Sequence, residues 1–161
     1  MDLQENYLEY RNHINTLKTD QGYIKYILKI QQIMHQRQLV SCMSSDSKWL
    51  KLLHAMTDLD FPPAFIVKLV TENRNLQAED QFVKKIPWYL GDWHPFYHDA
   101  MPVFIGIEYL IVKPMLSKPR GRLIDDLILD QTDQFRTLLQ RLNIVFDEKN
   151  SCFKIYAYHS K

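Results

Sequence analysis

A chain of 161 residues, 46% of them hydrophobic and 24% charged, is the size of one domain and has apolar surface enough for a core, which excludes a disordered type. A formal net charge of +1 excludes the strongly basic balance by which nucleic-acid binders hold phosphate. No apolar run reaches the roughly 20 residues that span a bilayer; the longest, Met101 to Val112, carries Glu108.

The opening MDLQENYLEY lacks the basic and apolar regions of a secretory leader, and Cys42 and Cys152 form no spacing pattern, so the expectation is a cytoplasmic protein with free thiols. Leu3 to Leu17 places Tyr7, Tyr10, Ile14 and Leu17 at helical steps. Thr19 or Asp20 caps a second helix that runs to about Leu39 with Ile24, Ile27, Leu28, Ile30 and Met34 on one broad face. The two helices form an N-terminal hairpin over residues 1–40, its apolar faces turned to the core of the domain. Ser45 or Asp46 caps a third helix to about Leu59, in which Trp49, Leu52, Leu53 and Met56 repeat as core positions. Pro62 and Pro63 end it.

Ala64 to Thr71 reads as a strand, Glu72 to Gln81 as a loop, and Phe82 to Leu90 as a second strand bent by Pro87. Pro95 and Pro102 bracket an irregular or one-turn helical segment. Val103 to Val112 is the clearest strand: period two puts Ile107, Tyr109 and Ile111 on one face and Glu108, Leu110 and Val112 on the other. Lys113 to Arg122 carries four bases and no acid, and Leu123 to Asp133 four acids and no base, a pattern of a solvated loop. Thr132 or Asp130 caps a last helix through Leu142, and a hairpin around Lys149-Asn150-Ser151 joins Ile144–Asp147 to Cys152–Tyr158. This order predicts an α+β domain, a largely antiparallel sheet of four or five strands with helices on one face, in a core spanning residues 44–158.

Residues with chemistry concentrate between Ile86 and Lys113. His94, His98 and Asp99 are the one metal-like cluster, weakened because Pro95 favours the first helical position and leaves His94 off a shared face. Glu108, in an apolar strand, needs a partner such as Lys68 or an arginine, or would titrate high as an acid–base residue does. The four glycines build no phosphate loop, and there is no nucleophile elbow and no Cys-x-x-Cys.

Three blocks then resemble a family together: Ser47-Lys48-Trp49 opening a leucine-rich helix; Ile107-Glu108-Tyr109-Leu110; and Asp133-Gln134-Phe135, Leu138-Leu139 and Ile155-Tyr156-Ala157-Tyr158 at the carboxyl end. They are similar to small bacterial proteins known only as a domain of unknown function, over Ser44 to Tyr158. Tyr109 stands where that pattern has tryptophan, and Ala157 where it has glycine. The resemblance implies a bacterial cytoplasmic protein with no site residues to carry over, and by analogy an immunity protein that neutralises a toxin. The expectation is therefore a non-enzymatic protein-binding protein, without cofactor, membrane or nucleic acid. Trp88, Trp93 and Tyr97 would be its aromatic anchors, and Asp125, Asp126 and Asp130 its steering charges. The alternative is a small enzyme or metal-dependent protein built on His94, His98, Asp99 and Glu108.

Overall fold

In the computed structural model, which describes residues 2–43 and 45–160, the chain begins with helix α1, Leu3–Leu17. A capping box starts it: Glu5 N–H donates to the Asp2 carboxylate and Asp2 N–H to the Glu5 carboxylate. Helix α2, Gln21–Arg37, is capped by Asp20, which accepts from Tyr23 N–H, and it stops where Gln38 turns left-handed at φ 54°. A short strand β1, Leu39–Ser41, follows. Ser45 caps α3, Asp46–Ala55, which tightens into a 3₁₀ turn over Met56–Asp58. Ser44, where the resemblance begins, lies outside the described residues.

Both N-terminal helices are built into the core. Tyr10 of α1 is 1% exposed; its ring stacks on Phe104 at 4.6 Å, and Trp49 of α3 stacks on Phe104 at 5.2 Å. Phe104 N–H donates to the Tyr10 hydroxyl at 3.1 Å, which satisfies both buried groups. Ile30 of α2 is fully buried. Tyr26 of α2 comes so close to the 3₁₀ turn Phe104–Gly106 that a β-carbon at Gly106 would sit 2.2 Å from its hydroxyl oxygen.

The main sheet is antiparallel with strand order β2-β3-β7-β6: β2 is Ala64–Leu69, β3 Ile107–Lys113, β6 Phe146–Lys149 and β7 Cys152–Tyr156. The turn between β6 and β7 places Asn150 and Ser151 at φ 53° and 59°, as a two-residue hairpin with right-handed strand twist requires. One face, with Val67, Leu110, Ile155 and Phe153, packs on α3 and on Phe135, Leu138 and Leu139 of α5, Thr132–Arg141. Strand β8, Tyr158–Ser160, pairs with β1 and ties the carboxyl end to the end of α2.

The chain departs from its sequence pattern in three places. Residues 72–81 are no loop and 82–90 no strand: α4, Leu76–Lys84, runs through both, capped by Asn75. Its inward positions are Glu79, Phe82 and Val83, so a buried carboxylate holds one place in the helical period and hides it from an apolar count. This helix covers part of the sheet's second face, against Ile66, Tyr109 and Ile111, so helices lie on both faces.

Residues 113–133 are a solvated loop only in their middle, where 119–126 are exposed and outside any strand. On either side of it stand the two strands of an arm, β4 Met115–Lys118 and β5 Leu127–Asp130, paired with each other and, among the described residues, with no third strand. Finally, the alternation along 103–112 breaks. Lys68 faces Tyr109 and Leu69 faces Ile107, so Glu108 is an extra residue in a bulge. Ile107 therefore reaches the main core with Leu110 and Val112, and Tyr109 and Ile111 lie on the second face.

Candidate functional site

The tryptophan-rich stretch divides its residues between core and surface. Trp93 is 6% exposed; its indole N–H donates to the Pro63 carbonyl at 2.8 Å and its ring packs on Phe65 at 4.6 Å. Gly91 permits this approach, since a β-carbon there would lie 2.0 Å from the same carbonyl oxygen. Trp93 is thus a core anchor, which corrects its expected place on a docking surface. Tyr97 is half-buried and stacked on His13 of α1 at 4.2 Å, so it too serves packing. Trp88 is the opposite case: 77% exposed, with Tyr89 edge-on at 5.5 Å.

The histidine cluster takes up a local arrangement. His94 Nδ1 lies 2.6 Å from the Asp92 carboxylate, and the hydrogen bond from His94 holds Asp92 below the usual carboxylate range. The His94 and His98 rings stack at 5.7 Å, and Asp99 closes the one-turn helix Phe96–His98 in the left-handed region. Among the described residues, no group of three or more His, Cys, Asp or Glu side chains is placed to hold a metal ion. Glu108, the fourth member of the metal-dependent alternative, is engaged elsewhere.

Exposed apolar side chains gather on two neighbouring segments. Of the eleven large hydrophobic residues that are exposed among the described ones, seven are Trp88, Tyr89, Leu90, Leu123, Ile124, Leu127 and Ile128. A bond from Ser117 N–H to the Pro87 carbonyl, 2.8 Å, fixes the Trp88 segment beside β4, and Ile128 faces Ser117 across the arm. β5 is left as the outer strand. Asp126 accepts from the Ser117 hydroxyl at 2.9 Å, and the Asp125 carbonyl accepts from Arg120 Nε at 2.9 Å, so both brace the exposed arm. Asp130, just ahead of α5, accepts from the Thr132 N–H and hydroxyl at the helix's first residue; the N-cap itself is Gln131, whose side chain makes no capping bond. All three carboxylate residues are exposed.

The second face of the sheet carries a buried ionic network. The bulge turns Glu108 toward Lys68, whose ammonium lies 2.9 Å away, and Arg37 at the end of α2 grips both carboxylate oxygens at 2.5 and 3.1 Å. Burial pushes the Glu108 carboxyl up, but the bonds and charges of Arg37 and Lys68 outweigh it and hold the group below its ordinary range. It is an ionised structural carboxylate, not one that titrates high. Beside it Glu79 of α4 accepts from Arg74 at 2.9 Å and from the Tyr109 hydroxyl; burial and this carboxylate both push the Tyr109 phenol up. Lys154 of β7 places its ammonium 4.1 Å over the Tyr109 ring. Of this network only Glu108 and Lys68 are marked by the sequence pattern. Arg74 and Glu79 fall in the segment whose helix is hidden, and Lys154 shows itself only through the alternation Cys152, Lys154, Tyr156 opposite the core positions Phe153 and Ile155.

An antiparallel sheet between helices, with no catalytic constellation assembled among the residues the sequence singles out, defines a small α+β protein. The model of a family of unknown function (DUF6678) matches residues 30–161, and the chain belongs to that family. The match starts inside α2, ahead of the block at which the sequence resemblance begins. No curated protein matches the chain, and no solved structure does. No helix among the described residues is long and apolar enough to cross a membrane.

Proposed function

We propose that this chain is a non-enzymatic protein-binding protein of the bacterial cytoplasm, and that the arm and the Trp88 segment are where it docks its partner. The observation that carries the reading is the gathering of exposed apolar side chains, Trp88 to Leu90 and Leu123 to Ile128, on two segments bonded to each other. Scattered exposed leucines are ordinary on a surface; an aromatic anchor joined to an apolar arm whose outer strand is open is the composition of an interface centre. Arg120 and Arg122 on one side of the arm's turn and Asp125 and Asp126 on the other supply charges of both signs around it, which orient an encounter more than they add affinity.

The partner class proposed is a toxin that the chain neutralises. Analogy supports it: a small α+β protein without a catalytic motif is the kind of protein that serves as an immunity protein. Affinity capture with the wild-type chain and with a Trp88→Ala, Ile128→Lys double variant tests both levels. The expected result is one stoichiometric protein retained by the wild type and lost by the variant, and toxic to cells unless this chain is co-expressed. Equal capture by both chains would refute the surface. A captured protein whose expression is harmless without this chain would refute the toxin reading.

A further inference from the structure

The docking surface leaves unused a cavity of about 590 Å³ on the second face of the sheet, between the end of α2, the strands β2, β3 and β7, and β8. Four cations line it, Arg37, Lys68, Arg74 and Lys154, against two lining carboxylates, Glu72 and Glu108. Glu108 alone neutralises part of the charge of Arg37 and Lys68 together. Lys154 has no carboxylate within ion-pair distance among the described residues. Its ammonium rests on the rings of Tyr109 and Tyr156, 4.1 and 5.3 Å from their centroids. Those rings are fixed at their far ends, since the Tyr109 hydroxyl donates to Glu79 and the Tyr156 hydroxyl to Asp147 at 2.7 Å.

Stability does not account for this arrangement. A buried ion network contributes no more than apolar packing of the same volume and often less. The fold has an apolar cover for this face at hand, because next to the cavity Phe82 and Val83 of α4 close over Ile66 and Ile111. Where α4 stops, the sheet shows instead four cations, of which Glu79 pairs Arg74, Glu108 is shared by Arg37 and Lys68, and Lys154 is held only by aromatic rings. We infer that this cavity binds a small organic anion, phosphate- or carboxylate-bearing, with Lys154 taking its charge, Arg74 at the rim held in place by its ion pair to Glu79, and the Tyr109 and Tyr156 rings flanking it.

Thermal unfolding of the full chain in sodium phosphate, sodium citrate and, at matched ionic strength, sodium chloride tests this. At about ten times its dissociation constant, a site of this kind raises Tm by about 3–5 °C. The expected result is that rise with phosphate or citrate and none with chloride, and its loss in Lys154→Met but not in Lys25→Met on exposed α2. A rise with phosphate alone assigns a phosphate-bearing ligand, and a rise with citrate alone a carboxylate. No rise above chloride, or a full rise in Lys154→Met, overturns the site. If Lys154→Met fails to fold, amide and side-chain NMR shifts of the wild type under phosphate and citrate titration decide instead. Shifts centred on Lys154, Arg74 and Arg37 support the site, and shifts centred elsewhere, or none, overturn it.

Discussion

Trp88 and Trp93 lie in one short segment and have opposite roles, because Gly91 between them lets the chain close on Pro63 and carries only the second indole inside. Trp93→Ala removes a buried ring and orphans a carbonyl, and should cost about 3–5 kcal/mol in chemical denaturation. Trp88→Ala should stay within about 0.5 kcal/mol of wild type, as surface changes do. Equal costs for the two would undo this division. Nothing in the sequence separates them, since burial here depends on a tertiary approach to Pro63.

Glu108 was legible as an anomaly, and its partners follow from a bulge that no period shows. Its folded-state pKa lies below that of the unfolded chain, so the stability it contributes is fully present above the ordinary carboxylate range and is lost as pH falls through the lowered value. Glu108→Gln should therefore cost about 2–3 kcal/mol at pH 7, discounted because the Arg37 side chain is 41% exposed. The difference from wild type should narrow as denaturation is repeated down to about pH 3. A gap that does not change with pH would mean that the network is not ionic in the way described.

Among the elements, α1 does more than precede the part of the chain that the family model covers. It supplies Tyr10, which stacks on Phe104 and accepts its N–H. Tyr10→Ala should lower stability by about 3–5 kcal/mol, read from urea unfolding followed by tryptophan fluorescence, since Trp49 shares the stack. An unchanged midpoint would show that α1 is dispensable to the core. The side-chain-capped helices α1, α2 and α3 and the apolar stripe of α5 were readable from sequence, as was the turn at Asn150 and Ser151, because each is set by local chemistry. α4 was not, because Glu79 fills an inward position with a charge neutralised from outside the helix by Arg74. The arm was not, because charges around Lys118 to Asp126 mask two short strands that pair only with each other.

At the scale of the molecule, the core face of the sheet is closed by α3 and α5, and the two surfaces proposed to bind are what remains open: the cation-lined cavity on the second face and the arm with Trp88 beside it. The α+β class and the antiparallel sheet followed from the order of helical and strand patterns. Which of the proposed docking residues lie at the surface was not legible: Trp88 is exposed, Tyr97 half-buried and Trp93 buried, while all three acids are exposed. The most direct measurement is photo-crosslinking in cells of the native host with a benzophenone amino acid at position 88 or 124, and at exposed position 28 of α2 as the control. The docking account predicts one discrete protein adduct shared by 88 and 124 and absent from 28. No adduct from the two arm-side positions, the same adducts from all three, or an adduct of twice the mass of this chain would contradict it.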